Sequence, residues 1–374
     1  MPVLLLLALL HLYIAWRIVP DLGGLTAYPL VLQGLVLLVL VASTALIPMA
    51  FYGRRREPRA VADRWTWVGM SALGLFSMLL VLTLARDVGL LAARWLMPGS
   101  TLVAASSAGV VLLALGLTTR GHFNARRTAA VREVEVGIAD LPAALQGWSL
   151  VQISDVHVGP TIKAGYVQAI VEAVNRLDAD VVAITGDLVD GPVRLLGPDV
   201  APLAQLRSRH GTYFVTGNHE YYSGAPEWIA HLRGLGLTVL LNEHVVIERG
   251  GARLVLAGVT DWSAHHFEPA QRSDPARAMH GAPADAAVRL LLAHQPRSAL
   301  AAEAAGFDLQ ISGHTHGGQF WPWNFAVRLQ QPFVAGLKRL GRLRVYTSRG
   351  TGYWGPPLRL GAPSEITRIR LVRS

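Results

Sequence analysis

Cysteine is absent from this chain. That excludes disulfides, zinc-thiolate sites and thiol nucleophiles together, while leaving the compartment open. Acidic residues are nearly missing from positions 1–130, which hold 4 of them against 11 arginines. There is no basic start and no clear small-x-small cleavage site, so the apolar beginning reads as a helix to be kept rather than a signal peptide. No nucleophile elbow occurs, and no aromatic-plus-basic pattern of an RNA-binding module. Internal repeats and low-complexity tracts are lacking as well.

Charge and hydropathy split the 374 residues at one place. Residues 1–130 carry a net +7, whereas residues 131–374 carry 23 Lys and Arg against 21 acidic residues, a net +2. The excess is arginine flanking apolar segments, where a membrane protein places it, so the pI near 10.3 does not point to nucleic acid. Four apolar stretches follow: Val3 to Val19 (interrupted by His11 and Arg17), Leu30 to Phe51, Trp65 to Ala85, and Leu102 to Leu117. A spanning helix takes about 20 apolar residues. The second and third stretches meet this without a charge, and the outer two are shorter or interrupted. Val88 to Met97 reads as a short interfacial helix, with Trp95 near a headgroup layer. With no charge deep in stretches two to four, no proton or ion path is indicated.

Beyond a polar connector, strands and helices alternate and then strands follow one another. The runs Leu150 to Ile153, Val181 to Ile184, Tyr213 to Val215, Val239 to Leu241, Val245 to Ile247, Leu254 to Val259, Leu290 to Ala293, Leu309 to Ile311, Leu343 to Thr347 and Ile366 to Leu371 read as strands. Ala164 to Leu177 has helical spacing. A mixed sheet system with helices outside is expected. The domains are accordingly read as 1–120 membrane, 121–147 connector and 148–374 α/β.

Ligand-type residues stand directly after five of these strands: Ser154-Asp155-Val156-His157, Gly186-Asp187-Leu188-Val189-Asp190, Gly217-Asn218-His219-Glu220, His294-Gln295-Pro296 and Gly313-His314-Thr315-His316. Open α/β sheets bind ligands beyond the carboxyl ends of their strands. Each group has a plain structural reading: Asp155 and Asp190 as turn residues, Gly217-Asn218 as a turn, His294 as a hydrogen-bonded core histidine. Five coincidences at five strand ends argue for a shared site instead. Two divalent ions with a bridging carboxylate, for which Asp187 is the natural choice, account for them jointly. Mixed imidazole and carboxylate donors suit Mn, Fe, Zn, Ni or Co better than Ca or Mg, with Mn favoured here. Such a pair activates water and clamps phosphoryl oxygens, so no protein nucleophile is needed.

In this order the clusters resemble the calcineurin-like metallophosphoesterases, over Asp155 to His316. The resemblance implies a four-layer αββα sandwich. It implies that Asp155, His157, Asp187 and His316 hold one metal, that Asp187, Asn218, His294 and His314 hold the other, and that His219 faces the phosphate as general acid or stabiliser. Gly313 to Gln319 and Ser348 to Arg359 are similar to the membrane-associated phosphodiesterase branch, and the helices before the domain to transmembrane proteins with a metallophosphoesterase domain. The expected activity is hydrolysis of a phosphodiester or pyrophosphate, of a lipid-linked substrate at the bilayer. The alternatives are a phosphomonoesterase or nucleotide phosphatase, and a non-catalytic membrane sensor. Trp321, Pro322, Trp323 and Phe325, with Lys338, Arg339, Arg342 and Arg344, read either as an apolar and basic rim or as a packed loop. Arg349 and Arg359 are candidates for substrate phosphate, and His265-His266 for a lid or a polar turn.

With four spans, Arg54, Arg55, Arg56, Arg59, Arg64, Arg120, Arg126, Arg127 and Arg132 fall on one side, and Arg17, Arg86 and Arg94 on the other. The positive-inside rule then puts both termini and the α/β domain in the cytoplasm. Protease added to right-side-out vesicles should leave the C-terminal half intact, and cleavage of that half only from outside would overturn the orientation.

Overall fold

Uninterrupted apolar runs fold as helices and shorter β-branched runs as strands. The computed structural model describes residues 2–52, 59–93 and 100–374, and its chain divides into a helical unit, Met1–Arg126 with Gly355–Leu360, and an α/β unit, Arg127–Trp354 with Gly361–Ser374. Arg54 to Arg56, Arg94 and Trp95 lie outside the described residues.

The helical unit contains α1 (Pro2–Ile18), α2 (Pro29–Tyr52), α3 (Arg59–Ala93) and α4 (Ser100–Arg126). Four helices among the described residues are long and apolar enough to cross a membrane, by length and composition. α3 is longer than the uncharged stretch from Trp65 to Ala85. It runs on through Arg86, Asp87 and Val88, so the expected separate interfacial helix is, up to Ala93, the end of α3. The helix continues because its charges find partners. Arg17 Nε donates to Asp87 (2.8 Å), Tyr13 donates to Asp87 (2.6 Å), and Arg86 pairs with Asp21 and donates to the Arg17 carbonyl (3.0 Å). Paired charges can be held where single ones could not. In the same unit Leu358 lies against Gly74 and Gly121, where any side chain would crowd it.

The α/β unit has two six-stranded sheets. Sheet one is ordered β1 (Ala130–Ile138), β12 (Glu365–Arg373), β2 (Ser149–Ile153), β3 (Val181–Ile184), β4 (Thr212–Phe214), β5 (Thr238–Val239). Sheet two is ordered β10 (Gly336–Leu340), β11 (Leu343–Thr347), β9 (Leu309–Ser312), β8 (Val288–Leu292), β7 (Ala252–Gly258), β6 (Glu243–Arg249). β2, β3 and β4 are mutually parallel, as are β7, β8, β9 and β11. Strands covered on both faces read as continuous apolar runs, and β2 and β3 are buried throughout. Leu150, Val181 and Ile369 of sheet one pack with Leu256, Leu290 and Ile311 of sheet two in one core. Outside sheet two, Val255, Leu291 and Val345 pack with Ala278, Ala299, Ala302 and Phe307. On α5 (Ala164–Asn175), Val167, Ile170, Val171 and Val174 recur at helical spacing and are buried.

Two strands were not expected from sequence, β1 and β10. Both are sheet edges and both carry charge: Arg132, Glu133 and Glu135 on β1, Lys338 and Arg339 on β10. Charge blunts an edge against further pairing, and the same charge hides it from a search for apolar runs. Residues 121–147 thus include the last turns of α4 and all of β1.

Leu256 is fully buried between the sheets. Leu256→Ala should cost about 2–5 kcal/mol, read from the urea midpoint of the detergent-solubilised protein; an unmoved midpoint would contradict this packing.

Candidate metal centre

Parallel strands end their carboxyl termini at one edge, and in both sheets that is where the ligand-type residues stand. Asp155 and His157 follow β2, and Asp187 and Asp190 follow β3. Asn218 and His219 follow β4 at the start of α7 (Asn218–Ser223), His294 follows β8, and His314 and His316 follow β9. Gln152 on β2 ties the two sheets together next to them, donating to the Thr185 hydroxyl (2.7 Å) and the Ser312 carbonyl (2.9 Å).

Two groups form. In the first, Asp155, His157 and His316 bring ligand atoms within 4.8 Å of one another; in the second, Asp187, His294 and His314 do the same. Hydrogen bonds select the imidazole nitrogen that faces each group. His157 Nδ1 donates to Asp190 Oδ1 (3.0 Å) and His294 Nδ1 donates to the Thr185 carbonyl (2.7 Å). Both therefore turn Nε2 inward, the arrangement expected of metal-binding histidines. His157 Nε2 then stands 3.0 Å from His316 Nε2, and His294 Nε2 stands 3.2 Å from His314 Nδ1. Lone pairs facing at such distances need a cation or a proton between them. Asn218 Oδ1 is buried and has no hydrogen-bond partner among the described residues, a cost that a metal would remove. Asp155, Asp187 and Glu220 are 0–2% exposed, and buried carboxylates require compensating charge. The donor set thus fits two divalent cations, with Asp187 between the groups: its Oδ2 lies 3.1 Å from His294 Nε2 and 3.9 Å from His157 Nε2.

Electrostatics within the pocket are uneven. Burial pushes the Asp155 carboxyl up, whereas Asp187, equally buried, is held well below the usual range by the charge and hydrogen bond of His294. Burial lowers His294, but Asp187 outweighs it and raises the imidazole well above its ordinary value. Burial, with the charge of His294, pushes His314 down to about 3, so that ring is neutral. His219 is raised to about 9: burial opposes the charge, and the bond to Asp190 with the charges of Asp187 and Asp190 prevails.

Asp190 stands in a bend, as a turn residue does, and its side chain has a further role. Its Oδ1 accepts from both His157 Nδ1 and His219 Nδ1, the latter at 2.7 Å. One oxygen thereby orients a candidate metal ligand and the residue expected to face the phosphate. Glu220 was not assigned a role from sequence either. It accepts from the backbone of Gly217 (2.6 Å), Asp187 (3.0 Å) and Leu188 (2.8 Å), pinning the loop after β3 to the loop after β4. Burial and the charge of Asp187 push it up to about 7. The signal was present, since Glu220 stands at the third helical position behind an N-terminal glycine.

The backbone is strained here. Of nine non-glycine residues with positive φ among the described ones, five are Asp155, His157, Asp187, His314 and His316. Each such conformation costs roughly 1–2 kcal/mol, and such strain concentrates at functional sites. Gly217 is required because a Cβ there would overlap the Asp187 carboxylate. Arg349 lies against Gly317 and pairs with Glu365 (3.2 Å). Arg359 is buried in the helical unit, where its amide donates to Gly121 (2.9 Å). His265 and His266 close a short 3-10 turn with rings 4.0 Å apart.

Cation binding at Asp187, His294 and His314 must displace the proton that Asp187 holds on His294. Metal affinity should therefore fall as pH drops through the raised His294 titration, with proton release on binding. Calorimetry in buffers of different ionisation enthalpy reads this directly, and identical heats in all buffers would refute it.

Residues 149–318 match the family model described as calcineurin-like phosphoesterase. A bovine (Bos taurus) transmembrane protein with metallophosphoesterase domain is 42% identical over 70% of this chain and 61% of its own length. The zebrafish (Danio rerio) protein of the same description is 36% identical over 99% of this chain and 88% of its own. An uncharacterized metallophosphoesterase of Helicobacter pylori is 38% identical over 71% of this chain and 70% of its own. A buried set of paired imidazoles and carboxylates at the ends of two sheets, within a sequence of this descent, makes the chain a member of the calcineurin-like phosphoesterase family.

Proposed function

We propose that the protein is a membrane-anchored, metal-dependent phosphoesterase that hydrolyses a phosphodiester or pyrophosphate bond of a lipid-linked substrate, with its catalytic domain in the cytoplasm. The observation that carries the hydrolytic reading is the pairing of two metal-type clusters around Asp187 with His219 beside them. In this reading Asp155, His157, Asp187 and His316 hold one ion, and Asp187, Asn218, His294 and His314 hold the other. Two transition-metal dications, with Mn favoured, would polarise the phosphoryl oxygens and acidify a water.

The protein's own residues supply the rest. Asp190 occupies His219 Nδ1, which leaves Nε2–H to point at substrate. The His219 amide donates to Asp187 Oδ1 (2.9 Å), so the acid and the bridging carboxylate keep a fixed spacing. As the water oxygen bonds to phosphorus and its proton passes to solvent, the ester P–O bond breaks and the leaving oxygen takes the proton from His219 Nε2. Arg349 is assigned to substrate phosphate beside the His316–Gly318 turn.

The lipid-linked part of the reading is supported by four candidate spans and by an apolar surface after the histidine pair. Trp321, Trp323 and Phe325 are exposed, whereas Phe320 is buried. Exposed apolar patches of this kind mark membrane or ligand contacts.

With Mn²⁺ in detergent, bis-p-nitrophenyl phosphate should be turned over, and His219→Ala should lower kcat about 10²- to 10⁴-fold. Asp187→Ala should abolish metal-dependent turnover. Activity indifferent to both substitutions would sink the mechanism, and faster cleavage of the corresponding monoester would transfer the reading to a phosphomonoesterase.

A further inference from the structure

Two aromatic rings stand against His219 and a third stands against one of them, and neither the metal groups nor the proton transfer uses them. Tyr222 lies 5.2 Å from the His219 ring at 62°, and Trp354 lies 5.6 Å from it at 75°. Phe267 extends the wall, 5.6 Å from Tyr222. All three remain widely exposed: Tyr222 61%, Trp354 52%, Phe267 48%. Large apolar rings cost free energy in water, and here two of them stand against His219 and a third against Tyr222.

Their placement is built rather than incidental. The Gln319 side chain grips the Trp354 backbone from both ends, donating to its carbonyl (2.8 Å) and accepting from its amide (2.9 Å). Gln319 is itself buried and holds a positive φ of 55°. Phe267 stacks on Tyr221 at 5.8 Å, and Tyr221 donates to Gln271 (2.6 Å). Fixed rings with exposed faces are the usual form of an apolar binding wall.

We infer that Tyr222, Phe267 and Trp354 form the leaving-group subsite, and that it takes a neutral apolar group, planar or extended, on the departing oxygen. The inference rests on the hydrolytic reading above. His219 protonates the departing oxygen, so whatever is attached to that oxygen meets the rings that border His219. The three wall residues carry no formal charge, so what they present to the leaving group is aromatic surface.

The test uses full-length protein in detergent with Mn²⁺ and two phosphodiesters that keep a methyl ester constant. One carries phenyl as leaving group and the other 4-biphenylyl, whose phenols are of similar acidity. The wild type should prefer the biphenylyl ester by roughly tenfold or more in kcat/KM, the scale of one or two ring contacts. In Trp354→Ala and in Tyr222→Ala that ratio should fall toward one, and Trp354→Phe should restore part of it. Metal stoichiometry and melting temperature of each variant identify a misfolded one, in which case Phe267→Ala takes its place. Hydrolysis of both esters with a ratio near one in the wild type, or with a ratio that the substitutions leave alone, overturns the subsite while sparing the hydrolytic reading. Absence of metal-dependent hydrolysis of either ester, with bis-p-nitrophenyl phosphate also untouched, overturns both.

Discussion

Buried charge that cannot balance itself governs the α/β unit. Asp155, Asp187, Asp190 and Glu220 are gathered with five imidazoles at the meeting edge of two sheets, where water is scarce and each carboxylate must find a counter-charge or a donor. Asp190 and Glu220 find protein donors. Asp155 accepts from the His314 amide, and Asp187 leans on His294. Facing imidazole nitrogens and an orphaned Asn218 oxygen remain. These are the residues left for cations, and the remainder of the site holds them in place.

The holding is achieved by backbone strain and by close approach. Left-handed conformations at five candidate ligands turn the side chains into one space after their strands. Gly217 lets the loop after β4 touch the Asp187 carboxylate, and Glu220 fastens the same two loops by three amide bonds. The sheets tolerate this because their interior is a continuous apolar core. Strain at the strand ends is outweighed by burial along the strands.

Much of this was legible in the chain. Fully buried parallel strands appear as apolar runs because both faces are covered, so β2, β3, β8 and β9 are visible, and the candidate ligands stand two to four residues beyond them. The edge strands β1 and β10 were not, because charge protects an edge and erases the apolar signal. The end of α3 is likewise hidden in the sequence. Arg86 and Asp87 look like a boundary in sequence, and become helix only through partners on α1 and the turn that follows it.

The sequence by itself determined which donors are available and where they stand along the chain, since strand, turn glycine and ligand are neighbours and their relation is local. Tertiary structure alone decided that Asp190, at its bend, also serves two histidines, that Glu220 joins two loops, and that Trp354, gripped by Gln319, stands against His219 with Tyr222. Those pairings join segments far apart in the chain. They arise from how two sheets pack, a property that no single window of residues contains.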